Sequence, residues 1–471
     1  MIRCSKYRKR HHSTGGIIRV ASTNEFKLFR LTWPIFLELF LFMMLGMADT
    51  FMLSAISDNA VSGVGAANQF LSIAILILEV IGNGASIVVA QYLGSRNREE
   101  AGRISALAVS MNLLVGLLIS VVFFFFHSSM LQAMNVSGEI LQYGESYFAI
   151  VGSAIFLQAV LNSFSAVIRV HGYTKEAMFV SFGMNVFHVI MNYFLIFGNG
   201  FFPELGVEGA AISTMLSRFL ALLVFIWLFY RVMEWKPRFV DYWQFSRERI
   251  SKIVKIGLPS AFEQIIYQAC QMTFLFYVTF LGAEAMAARQ YAANLSQFIY
   301  LFAMAVAMGT SIMVGRYVGA GRKDDAYVRV WGSVKIALIG TVIMVGAAIL
   351  FRESFMRLFT KDSVVIEMGA QVILLSILLE TGRAINMVII NSMRAAGDAS
   401  FPVWMGLLSM VGMSLPLGYL LVFQLNLGLA GVWLAIAADE WTRAVIMYFR
   451  WRSRKWENYA LVTPESAQAT H

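Results

Sequence analysis

Two cysteines in 471 residues exclude a disulfide-built scaffold, because Cys4 lies in a basic leading segment and Cys270 inside an apolar run. No redox role follows from them. Charge is scarce as well: Asp, Glu, Lys and Arg make up 14% of the chain against 58% hydrophobic residues, and mean hydropathy is +0.67. That is too little polar surface to cover a soluble globule. No Walker A phosphate loop occurs, so the chain does not itself hydrolyse ATP, and no catalysis or cofactor is expected.

What the sequence has in abundance is apolar runs of about 20 residues, the length that crosses a hydrocarbon core. They fall at 31–54, 66–92, 104–126, 142–168, 177–199, 207–230, 253–280, 291–318, 330–351, 365–392, 401–424 and 427–449. The reading is an all-α polytopic membrane protein with twelve transmembrane helices. The first run is too long for a signal peptide, carries Glu38 and Asp49, and has no clear cleavage site.

The chain also repeats itself once, at an offset of 225 residues. Pro34 and Glu38 recur as Pro259 and Glu263, Tyr92 and Gly94 as Tyr317 and Gly319, and Arg169 and Gly172 as Arg394 and Gly397. Six spans per repeat is an even number, so the halves are parallel repeats, a transporter architecture with its site expected between them. The division is a basic N-terminal tail at 1–30, a six-helix lobe at 31–232, a linker at 233–251, a second lobe at 252–450 and a C-terminal tail at 451–471.

The formal charge of +9 does not imply nucleic acid, because the basic residues lie in particular connections. Arg8, Arg96, Arg169, Arg238, Arg322 and Arg452 all stand in segments that one side of the membrane would hold, which puts both termini in the cytoplasm; Arg352, Arg357 and Lys361 are the exception. The lipid bilayer and a small organic substrate are the expected partners of a monomer.

Ionisable residues inside the spans are costly and mark pathways. Glu38 and Asp49 share a face of the first helix, three turns apart. Asn68, Ser72, Glu79, Asn83 and Ser86 form a stripe on the second, Gln158, Asn162 and Ser165 one on the fourth, and Asn185, His188 and Asn192 one on the fifth. These groups suit a proton or a hard cation, with Asp49 the principal site, supported by Glu79, Asn68, Asn192 and Glu38. Glu38 and Glu263 each follow a proline by four residues, so satisfying freed backbone N–H groups is their structural alternative. His188 has the same kind of alternative, a hydrogen-bonded interior histidine. In the second half, Glu263, Gln264, Tyr267 and Gln271 stand together on the seventh helix. Glu380 and Arg383 are i,i+3 neighbours on the tenth helix able to neutralise each other, and Asp439, Glu440 and Arg443 have i,i+4 and i,i+3 spacing near the cytoplasmic end of the twelfth. With Asn162 and His188, Glu263, Gln264, Tyr267, Gln271, Glu380 and Arg383 are the candidate lining of a substrate cavity.

Trp33-Pro34 through Gly46-Met47-Ala48-Asp49-Thr50, Val89-Ala90-Gln91-Tyr92-Leu93-Gly94, Arg169-Val170-His171-Gly172, Ala287-Ala288-Arg289-Gln290 and Arg394-Ala395-Ala396-Gly397-Asp398 together resemble the signatures of the multidrug and toxic compound extrusion (MATE) transporters, bacterial members of the MOP flippase superfamily. The resemblance covers about residues 25–457. It implies two six-helix lobes in a V, a central cavity, and export of cationic or amphipathic compounds in exchange for H⁺ or Na⁺. It assigns Asp49 as the coupling aspartate. The sequence departs from the family where an acidic residue of the fifth helix corresponds to Asn192, where an aspartate of the tenth corresponds to Arg383, and where Glu263 stands one turn before the family's glutamate, at Tyr267.

The expected activity is secondary active antiport across a bacterial plasma membrane, with any Na⁺ bound at Asp49. The alternatives are a lipid-linked oligosaccharide or lipid flippase of the same superfamily, which would show an arginine-rich cavity, and a non-transporting receptor or scaffold. The major facilitator superfamily is also twelve-spanning, but its signature between the second and third helices is not matched by Gly94-Ser95-Arg96-Asn97-Arg98-Glu99-Glu100.

Overall fold

A computed structural model describes residues 27–198 and 202–462. Most of the expected basic N-terminal tail, with Cys4, and residues 463–471 lie outside the described residues. Twelve long helices account for the fold, and no strand occurs among the described residues. They are α1 (Leu28–Ser54), α2 (Asp58–Gly94), α3 (Arg98–Ala133), α4 (Gly138–Ser153 continued by Ile155–Val170), α5 (Thr174–Phe197) and α6 (Gly206–Val232) in the first lobe. The second lobe holds α7 (Arg247–Thr279), α8 (Ala283–Gly319), α9 (Lys323–Leu350), α10 (Ser363–Ala396), α11 (Ser400–Gln424) and α12 (Gly428–Arg452). Helices are what apolar runs must form in lipid, where every backbone N–H and C=O has to be satisfied within the segment.

Nine of the twelve are long and apolar enough to span a membrane, and the two pieces of α4, bent by 48°, make a tenth. The other two, α7 and α12, are made less apolar by polar side chains: Gln264 and Gln268 on α7, Glu440 and Arg443 on α12, all lining a central cavity. The linker is shorter than the sequence suggested. Helix α7 already begins at Arg247, and a short 3₁₀ turn, Phe239–Trp243, precedes it.

Local chemistry sets the ends. Ser57 opens α2 by accepting from the Ala60 N–H at 3.0 Å, and Asn97 opens α3 by accepting from Glu100 at the same distance. The repeat fixes the ends of α4 and α10: Gly172 (φ 96°) and Gly397 (φ 101°) take the left-handed conformation that lets the chain turn after Arg169 and Arg394.

Each lobe has its own apolar core, and a further core runs through both at the end that bears the described chain ends, joining Leu31, Val88, Ile253 and Val306 to Trp451 and Trp456. There the backbones touch. A Cβ on Gly94 would strike the Arg316 carbonyl oxygen, and one on Gly319 would strike that of Gln91. Gly319 and Arg316 are the repeat counterparts of Gly94 and Gln91, so the two contacts are images of each other about the axis relating the lobes. The chain after α12 reinforces this seal: the Leu461 and Val462 N–H groups donate to Gln91 Oε1 at 2.9 and 3.2 Å, while Gln91 Nε2 donates to the Ala395 carbonyl at 2.8 Å.

Candidate functional site

Three polar centres lie in the molecule. The first is inside the N-terminal lobe. Asp49, on the last turns of α1, meets the stripe of α5: His188 Nε2 and Asn192 Nδ2 both stand 2.8 Å from Asp49 Oδ1, and they are 3.0 Å from each other. His188 and Asn192 are buried, whereas the Asp49 side chain keeps 31% exposure. Helix α6 supports the imidazole from behind. Ser213 and Ser217 each place a hydroxyl 3.4 Å from His188 Nδ1, and Ser213 also donates to the His188 carbonyl at 2.9 Å. Tyr147 of α4 and Arg218 of α6 are electrostatic neighbours of Asp49.

Glu38, Glu79 and Asn68 do not join this cluster. Glu38 is buried lower in the lobe, held by Arg169 Nη1 at 3.1 Å to both carboxylate oxygens, by Ser181 at 2.9 Å and by Ser165 at 3.4 Å. The guanidinium, not the backbone freed by Pro34, is its partner. Glu79 lies beyond reach of Asp49 because it stands half-way along α2, on the flank that turns to the other lobe, and Asn68 is exposed. Asn162 is taken up by its neighbour on α4, accepting from Gln158 Nε2 at 2.7 Å.

The second centre is the cavity between the lobes, about 510 Å³ and partly open, lying above the seal. Glu79 and Asn83 of α2 and Arg169 of α4 line it on one side. Gln264, Tyr267 and Gln268 of α7, Tyr300 of α8 and Arg383 and Arg394 of α10 line it on the other. Among the expected lining residues, Glu263, Gln264, Tyr267 and Arg383 are there; His188, Asn162, Gln271 and Glu380 are not. Gln271 donates to the Tyr267 hydroxyl at 2.9 Å, one turn away from the cavity wall.

The third centre is an ion-pair network that runs along that wall and, through Glu380 and Asp439, behind it. Arg383 Nη1 donates to Glu380 at 2.8 Å and its Nε to Glu440 at 3.3 Å. Arg443 reaches Asp439 at 2.7 Å, Glu440 at 3.2 Å and Glu263 at 4.0 Å, and Arg394 donates to Glu263 at 2.6 Å. Every arginine on the cavity wall therefore already faces a carboxylate. Glu79 is the contrast. Among the described residues it has no ion pair or side-chain hydrogen bond, and it is open to the cavity.

Tyr147 and Arg218 were not found from the sequence. An arginine in the middle of the apolar run Leu216-Ser217-Arg218-Phe219-Leu220 was the signal that could have found the second of them.

The comparisons with known proteins agree with the two-lobed fold. The family model MatE matches residues 34–194 and again 259–420, one match per lobe. The chain is 40% identical to the uncharacterized transporter YisQ of Bacillus subtilis over 93% of this chain and 96% of that one. It is 27% identical to the probable multidrug resistance protein NorM of Thermotoga maritima over 93% of this chain and 94% of the relative. The crystal structure of a MATE protein in its bent conformation superposes with a TM-score of 0.84 at 19% identity, covering 94% of this chain and 96% of that one, and so shares the twelve-helix, two-lobed fold. The chain belongs to the MatE family, the multidrug and toxic compound extrusion transporters, and is a transporter and not an enzyme.

Proposed function

We propose that the protein is an H⁺-coupled antiporter that exports amphipathic or cationic organic compounds through the interlobe cavity. It sits as a monomer in a bacterial plasma membrane with both termini cytoplasmic. The observation that carries this reading is the contact of His188 Nε2 and Asn192 Nδ2 with Asp49 Oδ1, both at 2.8 Å. A hard cation is held by oxygen ligands, and here the approach to that oxygen is occupied by two nitrogens. This chemistry favours a proton over Na⁺.

The substrate reading rests on Glu79. The arginines Arg169, Arg383, Arg394 and Arg443 are all engaged by carboxylates, so a lipid phosphate would have to break an ion pair to reach any of them. An organic cation meets instead a carboxylate that no ion pair holds among the described residues, with Arg169 its only charged electrostatic neighbour on the cavity wall. The seal at the chain-end side, with the cavity above it, corresponds to a state closed to the cytoplasm. Coupling follows if proton occupancy at Asp49 changes the relative stability of this state and its inward-open counterpart.

The test is efflux of ethidium from purified protein in liposomes, driven by a pH gradient or by a Na⁺ gradient, for wild type and Asp49→Asn. The expected result is flux with the pH gradient that is lost in Asp49→Asn. Flux driven by Na⁺ alone would overturn the choice of ion, and flux under neither gradient would overturn the substrate class.

A further inference from the structure

Among the described residues of the N-terminal lobe, Asn185 is the buried amide with both polar atoms unpartnered. Asn185 is 6% exposed, and neither its amide nitrogen nor its oxygen has a hydrogen-bond partner. Leaving such an amide dry is costly, and buried waters normally occupy such places. Asn192 Oδ1, also buried, is unpartnered in the same way.

Their position along α5 gives these orphans a meaning. Ser181, Asn185, His188 and Asn192 are spaced by four, three and four residues, one face of the helix. At the lower end Ser181 donates to Glu38 at 2.9 Å; at the upper end His188 and Asn192 hold Asp49. Asn185 stands between. Helix α4 brings the same spacing with Gln158, Asn162, Ser165 and Arg169, and the last two also meet Glu38. Arg169 in turn lines the substrate cavity.

We infer that Asn185 holds water at the middle of a buried polar column joining the Asp49–His188 pair to the Glu38–Arg169 pair, and that protons pass along it between the coupling site and the floor of the cavity. Each water accepts one proton and releases another, so no covalent partner is consumed. Arg169 closes the lower end: its positive charge sits on Glu38, and a proton leaves there only when that ion pair loosens. Tyr147 and Arg218 are electrostatic neighbours of Asp49 at the upper end. The inference rests on Asp49 being the proton site.

The experiment compares Asn185→Leu, which removes both amide atoms and the room for water, with Asn185→Ser, which keeps a polar group and leaves space. Three readouts are taken on protein in liposomes: ethidium affinity, ethidium–ethidium exchange without a gradient, and efflux driven by a pH gradient with internal pyranine reporting proton movement. Asn185→Leu is expected to lower driven efflux and proton movement about tenfold, with affinity and exchange within twofold of wild type, and Asn185→Ser to restore both. Driven efflux within twofold of wild type in Asn185→Leu would overturn the inference. So would affinity, exchange and driven efflux falling together in both variants, the mark of a packing role. Asp49→Asn run alongside separates the two readings: if it too leaves driven efflux unchanged, the proton site itself is wrong.

Discussion

Arg394 donates to Glu263 across 2.6 Å, and this pair is the image of one in the other lobe, where Arg169 donates to Glu38 at 3.1 Å; in both, the partners are 131 residues apart. Each pair fastens a proline-bearing helix, α1 or α7, to the helix that ends in the Gly172 or Gly397 turn. The proline removes a backbone hydrogen bond and softens its helix. The ion pair four residues on fixes where the softened segment lies.

Removing one partner of a buried pair strands the other charge, at a cost of about 3–5 kcal/mol, whereas replacing both by apolar groups is often neutral. Glu263→Gln and Arg394→Gln are therefore each expected to lower the thermal stability of the detergent-purified protein clearly. Glu263→Met combined with Arg394→Met should recover most of it. Equal stability of wild type and both single variants would show that packing alone holds α7 to α10.

The seal gives a second expectation. A Cβ at Gly319 meets the Gln91 backbone of the opposite lobe, which cannot rotate away as a side chain could. Overpacking of this kind costs about 1–3 kcal/mol, and since 1.4 kcal/mol is tenfold, Gly319→Ala should shift the ratio of sealed to open states by roughly 5- to 150-fold towards open. Spin labels on the two lobes at the chain-end side would read this as a growing long-distance population. An unchanged distribution would mean the seal yields elsewhere at little cost.

His171, in the turn after α4, links the same region to pH. Burial pushes its imidazole down to about 4 and nearby Arg316 acts in the same direction, against the hydrogen bond to the Val167 carbonyl. The folded value lies below the unfolded one of about 6.5. Its neutral form therefore contributes stability that is fully present above pH 6.5 and is lost as pH falls towards 4. His171→Gln is expected to flatten the acid limb of a stability-against-pH curve in that window, measured by thermal melts. Superimposable acid limbs for the two proteins would assign that limb to other groups.

Much of this was legible in the sequence for a physical reason: lipid enforces one rule on every span, so apolar length reported the helices and the rare charges reported the interior. Asp49, His188 and Asn192 stood out as polar residues in apolar runs and do come together. What spacing along a helix could not give was the meeting of helices. The contact between Asn192 and Asp49 joins residues 143 apart, and Glu79, on the same lobe, turns to the cavity because α2 faces the other lobe at that height. The contact of Leu461 with Gln91, 370 residues away, had no sequence signal at all, since a backbone N–H can belong to any residue.

Glu79 offers the sharpest check on the substrate. Its carboxylate is the one on the cavity wall without an ion pair among the described residues, while Glu263 and Glu440 face arginines. Opposite it stand neutral groups, Gln264, Gln268, Tyr267 and Tyr300, which can hydrogen-bond or stack; the charge nearest to it, Arg169 on its own side, is already paired with Glu38. A cation bound there gains a charge-assisted contact worth about 1.5–3 kcal/mol, so Glu79→Gln should weaken ethidium binding by roughly 10- to 150-fold. A neutral compound of similar size relies on the rings and amides and should lose less than threefold. Because Glu79 does not touch Asp49, proton-driven transport of the neutral compound should survive. Equal loss for both compounds would mean that Glu79 shapes the cavity and does not select its charge; no loss for either would move the cation's position away from α2 altogether.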